Sequence, residues 1–322
     1  MFTQLARPLA LAAALLVPAL ASATYPDKPI RIVVPYSAGG PTDAMARILQ
    51  AALQKDLGVP LIIENVAGAG GALGAQQVLR APADGYTLFL GNNGPSAVTP
   101  LLQKNAAFDP GKDFVPVSLI AKATMTITIS SAVPANDMKS FLAYAKAHPG
   151  ALNFASAGIG SLGHLGSELF VKDTGLQMTH IPYKGQAPTL QALMMNDVQM
   201  LLTTPTDAMR AQVTAGRIKL IGVTSDRPSP FDPKADMVQQ TVPGFVLYSW
   251  FAFMAKAGTP EPALAKLHSA INAALATEEV QKRFAGLGIV AEGGAAQDVT
   301  ALVKQDLARW APIIRDRKIE AE

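Results

Sequence analysis

The sequence predicts an α/β protein of two lobes, each built on a doubly wound, mainly parallel sheet. Apolar β-branched runs alternate with helix-like segments along most of the chain, beginning with Ile30–Val34, Leu61–Ile63 and Tyr86–Leu90. Loops of small residues follow these runs, at the strand ends where ligands of such sheets collect. Beyond an apolar N-terminal segment the chain runs for about 300 residues, more than one core usually serves.

The opening unit sets the pattern. Ile30, Ile32, Val33 and Val34 form a buried strand that breaks at Pro35. The chain passes through Tyr36-Ser37-Ala38-Gly39-Gly40 and enters a helix at Pro41-Thr42-Asp43. Pro loses no needed donor in a first turn, and a carboxylate suits the positive helix end. Such a unit offers free backbone N–H groups to an anion; its bland counterpart is an ordinary tight turn. Asp43 reads as an anchor for the loop rather than a selector of cations. A second strand, Val59–Asn65, leads through Gly68–Gly74 into a helix reaching Leu79. A third, Tyr86–Gly91, ends at Asn92-Asn93, so three small-residue loops share one sheet edge.

The middle of the chain repeats the plan. Asp113–Ile120 leads to a strand over Met125–Ile129, and Met138–Ala147 is a helix stopped by His148-Pro149-Gly150. Leu152–Ser156 is a strand running into Ala157-Gly158-Ile159-Gly160-Ser161-Leu162-Gly163-His164 and a helix through Phe170. Met178–Pro182, the loop Tyr183–Ala187 with Lys184, and a helix to Met195 follow. Val198–Leu202 then passes through Thr203-Thr204-Pro205-Thr206-Asp207 into a short helix ending at Gly216, and Lys219–Thr224 is a strand. Ser225–Gly244 reads as a surface connection, and Val246–Ala255 as a strand crossing back to the first lobe. Helices from Glu261 and Thr277, a short strand Ile289–Glu292 and an amphipathic helix Asp298–Lys318 close the chain. The expected division is 24–126 and 251–322 in lobe 1, with 127–250 in lobe 2.

Several chemistries are excluded or weakened. Net charge is +3 with 16% charged residues and no basic stripe, which argues against nucleic acid. There is no Cys, so neither disulfides nor thiolate chemistry arise. Gly158-x-Gly160-x-x-Gly163 matches a dinucleotide fingerprint in form, but no acidic residue follows at the required distance. No G-x-S-x-G elbow surrounds Ser161, against a secreted α/β hydrolase, and the four His show no metal-binding spacing. No cofactor or metal is expected. His164, in a first helical turn, is a candidate donor to ligand oxygen. Lys184 is either a solvated loop cation or a partner for a carboxylate.

Arg7, the apolar run Leu9–Leu20 and Ala21-Ser22-Ala23 form a secretory signal, expected to be cut after Ala23 to leave an exported chain. The mature start, TYPDKPIRIVVPYSAGGPTDAMAR, resembles the opening of the tripartite tricarboxylate transporter receptors, the Bug-type periplasmic solute-binding proteins. IIENVAGAGGALGAQQV, ADGYTLFLGN, DFVPVSLIA, LNFASAGIGSLGHLGSELF, HIPYKGQAPTLQAL, NDVQM and the ARWAPIIR tail extend the likeness over the mature chain. The resemblance implies a two-lobe Venus flytrap, the periplasmic-binding-protein fold, with a carboxylate-bearing solute between the lobes. It also implies that backbone N–H groups and waters of two opposed loops hold the solute, here Tyr36–Asp43 and Ser156–His164. The candidate ligand-binding residues are Tyr36, Ser37, Ala38, Gly39, Gly40, Thr42, Asp43, Asn92, Ser156, Ala157, Gly158, Gly160, Ser161, His164, Tyr183, Lys184, Thr204 and Asp207. Expected partners are a small organic carboxylate and either membrane permease subunits or a sensor kinase, with the receptor itself a monomer. Tyr36-Ser37-Ala38 departs from the Phe-Pro-Pro frequent in the family, and neither loop contains Arg.

Mass spectrometry of the exported protein should give Thr24 as its first residue. A retained Met1 would contradict the reading of the N-terminus.

Overall fold

The structure, a computed structural model, describes residues 25–102, 108–229 and 231–320; the expected N-terminal signal and cleavage site lie outside them. The first sheet starts with β1 (Ile30–Val34), α1 (Pro41–Leu57), β2 (Leu61–Asn65), α2 (Ala72–Arg80) and β3 (Thr87–Asn92). Here β1 pairs in parallel with both β2 and β3, the arrangement two helical crossovers impose. Gly58, at φ 71°, ends α1 in the left-handed conformation that a side chain resists.

A short α3 (Pro110–Asp113) precedes the long strand β4 (Phe114–Thr124). After Met125 the chain enters the second sheet at β5 (Thr126–Ser130). There follow α4 (Met138–Ala147), β6 (Leu152–Ser156), α5 (Leu162–Thr174), β7 (Met178–Pro182) and α6 (Gln186–Met195). Next come β8 (Met200–Thr203), α7 (Asp207–Thr214) and β9 (Ile218–Val223). The chain returns on β10 (Tyr248–Lys256), then forms α8 (Glu261–Leu275), α9 (Glu278–Gly286), β11 (Val290–Ala291) and α10 (Ala296–Asp316). Strand orders are β11-β4-β10-β3-β1-β2 and β7-β6-β8-β5-β9.

The α/β two-lobe fold is as the sequence predicts, but each sheet is mixed. Its parallel half holds the βαβ units; β4 and β10 pair antiparallel, and so does β5 with β8 and β9. The cause is the crossing itself. A chain that leaves on β4 and comes back on β10 runs in opposite directions on neighbouring strands. Thr224, fully buried, stitches the two crossings together: Met125 N–H donates to its Oγ1 (3.0 Å), its own N–H donates to the Met125 carbonyl (2.9 Å), and Leu247 N–H donates to its carbonyl (2.9 Å). Ser225–Gly244, expected as a surface connection, buries Phe231, Val238 and Val242.

Both faces of each sheet are covered, which is why the strands read as continuous apolar runs. Ile30, Ile32 and Val34 pack with Met45 and Leu49 of α1, Ile271 of α8 and Phe284 of α9. Val33 faces the other way, into a core shared with Val78 of α2 and Trp310 of α10. That second core continues into the other sheet through Phe154, Phe170 and Leu202. Helix α10 also carries a buried carboxylate, Asp306, whose Oδ2 accepts from Asn93 Nδ2 and Trp250 Nε1, each at 2.7 Å. Burial pushes this carboxyl above the usual range despite those donors.

Trp310→Ala should lower stability by about 3–5 kcal/mol, the usual cost of emptying a buried aromatic site. Met195→Ala, at a side chain 73% exposed, should change it little. Urea denaturation followed by fluorescence would separate the two outcomes.

Candidate functional site

The strand–loop–helix units meet in a cleft between the lobes. A cavity of ≈ 40 Å³ is lined by Tyr36, Gly40, Pro41, Thr42, Asn92, Met125, Ala157, Ser161, Leu162, Gly163, Gln186, Thr189, Leu201, Leu202, Thr203, Thr204 and Ser249. Three helices begin in this lining: α1 after Gly40, α5 after Ser161 and α6 after Gly185. First-turn N–H groups have no partner within their own helix, and the dipoles add positive potential at the same ends. None of the lining residues is Lys, Arg, His, Asp or Glu. Thr42 Oγ1 and Gln186 Oε1, on side chains 1% and 6% exposed, find no hydrogen-bond partner among the described residues.

The cleft is closed. Gly70 lies so near the Ile159 carbonyl across it that a Cβ could not fit, and a Cβ on Gly158 would come within 3.0 Å of Gly70 N. On the other side, a Cβ on Gly185 would reach 2.9 Å from Ser37 N. Glycine at these positions lets two backbones approach closely.

Each loop is held by its own side chains. Asp43 Oδ2 accepts from the Gly39 N–H (2.9 Å) and from Arg47 Nε (3.0 Å). Burial would push this carboxyl up, but the Arg47 and Gly39 donors outweigh it and hold it below the usual range. Tyr36 donates through its hydroxyl to Asn92 Oδ1 at 3.0 Å, and burial pushes its phenol well up, so it stays protonated. In the second loop Ser161 Oγ caps α5 by accepting from His164 N–H, 3.3 Å away. The Gly160 N–H donates to His164 Nδ1 (3.2 Å), which leaves the ring proton on Nε2, facing Glu168 Oε1 at 3.9 Å. His164 stacks on His180 with centroids 3.8 Å apart, and His180 Nε2 meets Ser156 Oγ at 2.6 Å.

Of the residues singled out from sequence, Tyr36, Gly40, Thr42, Asn92, Ala157, Ser161 and Thr204 line the cavity. Ser37, Ala38, Gly39, Asp43, Ser156, Gly158 and Gly160 belong to the loops behind or beside it. His164 does not reach the cavity: as an acceptor for Gly160 it positions the loop instead of donating to a ligand. Tyr183, exposed Lys184 and exposed Asp207 also lie outside the lining. Outside the two expected loops, sequence reasoning missed Met125, Gln186, Thr189, Leu201, Leu202, Thr203 and Ser249. Gln186 had one available signal, its place straight after a glycine loop and before a helix, the pattern recognised at Thr42 and Ser161. A larger groove of ≈ 740 Å³ near the crossings is lined by charges of both signs, among them Lys122, Asp226, Arg227 and Glu292, and no helix begins on it.

Comparison with known proteins accords with this geometry. The sequence profile described as "Tripartite tricarboxylate transporter family receptor" matches residues 45–319. The chain belongs to that family. BugT of Bordetella pertussis (strain Tohama I) is 33% identical over 91% of this chain and 90% of its own length. The periplasmic binding protein BugD superposes with a TM-score of 0.87 at 34% identity, covering 92% of this chain and all of BugD. A Rhodopseudomonas palustris protein solved with adipate gives 0.87 at 31% identity, covering 92% of this chain and 99% of its own. MatC of the same organism, solved with bound malate, gives 0.85 at 32%, covering 90% and 100%. This receptor is therefore a periplasmic solute-binding protein of the two-lobe type. Among its described residues, no helix is long and apolar enough to cross a membrane.

The stacked histidines should make folding stability depend on pH. Burial holds His164 down at about 3, with neighbouring His180 a second cause, and burial holds His180 at about 4. Below the ordinary value of 6.5 the unfolded chain binds protons that the folded receptor refuses. The stability is thus complete above that value and declines as pH falls toward 4. Each histidine should remove about 2 kcal/mol by pH 5. Thermal melts between about pH 7 and pH 5 should show this slope, and His180→Phe should reduce it by about half.

Proposed function

We propose that this receptor captures a small organic carboxylate in the cleft and delivers it to the permease subunits of a tripartite transporter. The observation that carries the reading is three helix N-termini opening on a cavity whose lining has no charged side chain. A carboxylate there meets preorganised N–H groups and hydroxyls, while an ammonium would meet the wrong end of every dipole. Apolar Met125, Leu162, Leu201 and Leu202 suit the carbon skeleton. The adipate and malate bound by two relatives of the same fold support the same class of ligand.

The role is capture rather than catalysis. Ser161 Oγ is engaged as a helix cap, His164 accepts from a backbone N–H, and no general base lines the cavity. We assign the described residues of 25–125 and 248–320 to one lobe and those of 126–247 to the other, a division shifted from the expected one because β5 begins at Thr126 in the second sheet and β10 at Tyr248 in the first; the hinge is at the crossings that Thr224 ties together. Ligand contacts made only when the lobes meet would bias the closed form. Each backbone bond to a charged oxygen is worth about 1.5–3 kcal/mol, so a few of them, less association costs, reach micromolar affinity. Export with cleavage after Ala23 completes the reading.

Calorimetry against mono-, di- and tricarboxylates should find at least one that binds. Gly70→Ala should weaken that ligand by tenfold or more, because its Cβ obstructs closure against Ile159. Lys184→Ala should leave the affinity within about twofold, a change on the order of 0.4 kcal/mol. Loss of binding in Lys184→Ala with Gly70→Ala tolerated would replace the backbone account with a lysine-paired site.

A further inference from the structure

Resting on the carboxylate reading above, we infer that the preferred ligand is a hydroxy acid, selected by the Gln186 carbonyl oxygen. The orientation of this amide follows from its neighbour. The Thr204 carbonyl can only accept, and Gln186 Nε2 lies 2.8 Å from it, so the amide nitrogen points there and Oε1 points away. Gln186 lines the cavity, and this oxygen is buried with no partner among the described residues. A buried acceptor left unsatisfied is costly, and a ligand that brings a donor removes the cost.

The donor must be neutral. No acidic side chain lines the cavity, so an ammonium would keep an unpaired charge beside three positive helix ends. A hydroxyl carries the required hydrogen without that penalty. Its place on the ligand is also constrained. Gln186 is the first residue of α6, and a Cβ on Gly40, the residue capping α1, would stand 3.9 Å from Gln186 Cβ across the cleft. The acceptor is therefore beside a helix end suited to the carboxylate, and the hydroxyl belongs within a carbon or two of that carboxylate. Thr42 Oγ1, equally buried and unpartnered on the facing helix, is free to donate to the carboxylate itself.

The test compares matched acids on the full receptor by calorimetry: lactate against propionate, malate against succinate, and alanine against lactate. Each hydroxy acid should bind about tenfold or more tightly than its deoxy partner, and alanine should bind more weakly than lactate. In Gln186→Met, checked for folding by its melting temperature, the hydroxy-to-deoxy ratio should fall to near one. A ratio near one in the unaltered receptor, as when a water relays Gln186 to the carboxylate, overturns the inference and leaves the carboxylate reading standing. So does a ratio that survives in Gln186→Met. A panel in which no carboxylate binds, the calorimetric survey above included, removes both.

Discussion

A helix cannot satisfy the N–H groups of its own first turn, and this receptor aims three such turns at one place. Much of the cleft follows from that constraint. The lining needs no cation because the dipoles supply positive potential at fixed positions. Asp43, close to α1's free end, has its Oδ2 taken up by two donors, the Gly39 N–H and Arg47. Glycines at 70, 158 and 185 then let the loops of one lobe approach the backbone of the other closely.

The two crossings between the sheets, at Met125 and Leu247, are joined through Thr224. Helix α10 spans the joint from outside. Asp306 ties it to Asn93 and Trp250 beside the returning strand, and Arg317, just beyond its end, meets Glu168 of α5 at 2.7 Å. Through His164, Glu168 neighbours the loop that opens α5. Contiguous contacts thus run from α10 through Glu168 and His164 to the second loop.

The site was legible in part, and the division has a physical basis. Thr42 and Ser161 announce themselves because a strand, a glycine loop and a helix start are all local in sequence. Gln186 follows the same local grammar, yet its use depends on the Thr204 carbonyl, 18 residues away, which takes its amide nitrogen. Met125 and Ser249 reach the lining only because the two crossings run side by side. His164 misleads for a related reason. Its position in a first turn suggests a ligand donor, but His180, arriving from β7, stacks against the ring and leaves it to serve Gly160.

By itself the sequence determined the α/β class, the order of strands and helices, the two opposed glycine loops and the family resemblance, since each rests on periodicity, turn chemistry or contiguous motifs within a few residues. Tertiary structure alone decided the mixed direction of each sheet, the use of Gln186 and its helix end in the cavity lining, the withdrawal of His164, Lys184 and Asp207 from the cavity, and the closed cleft. Those features come from segments far apart in the chain. Which side chain faces a cavity depends on what packs behind it, and no local pattern encodes that.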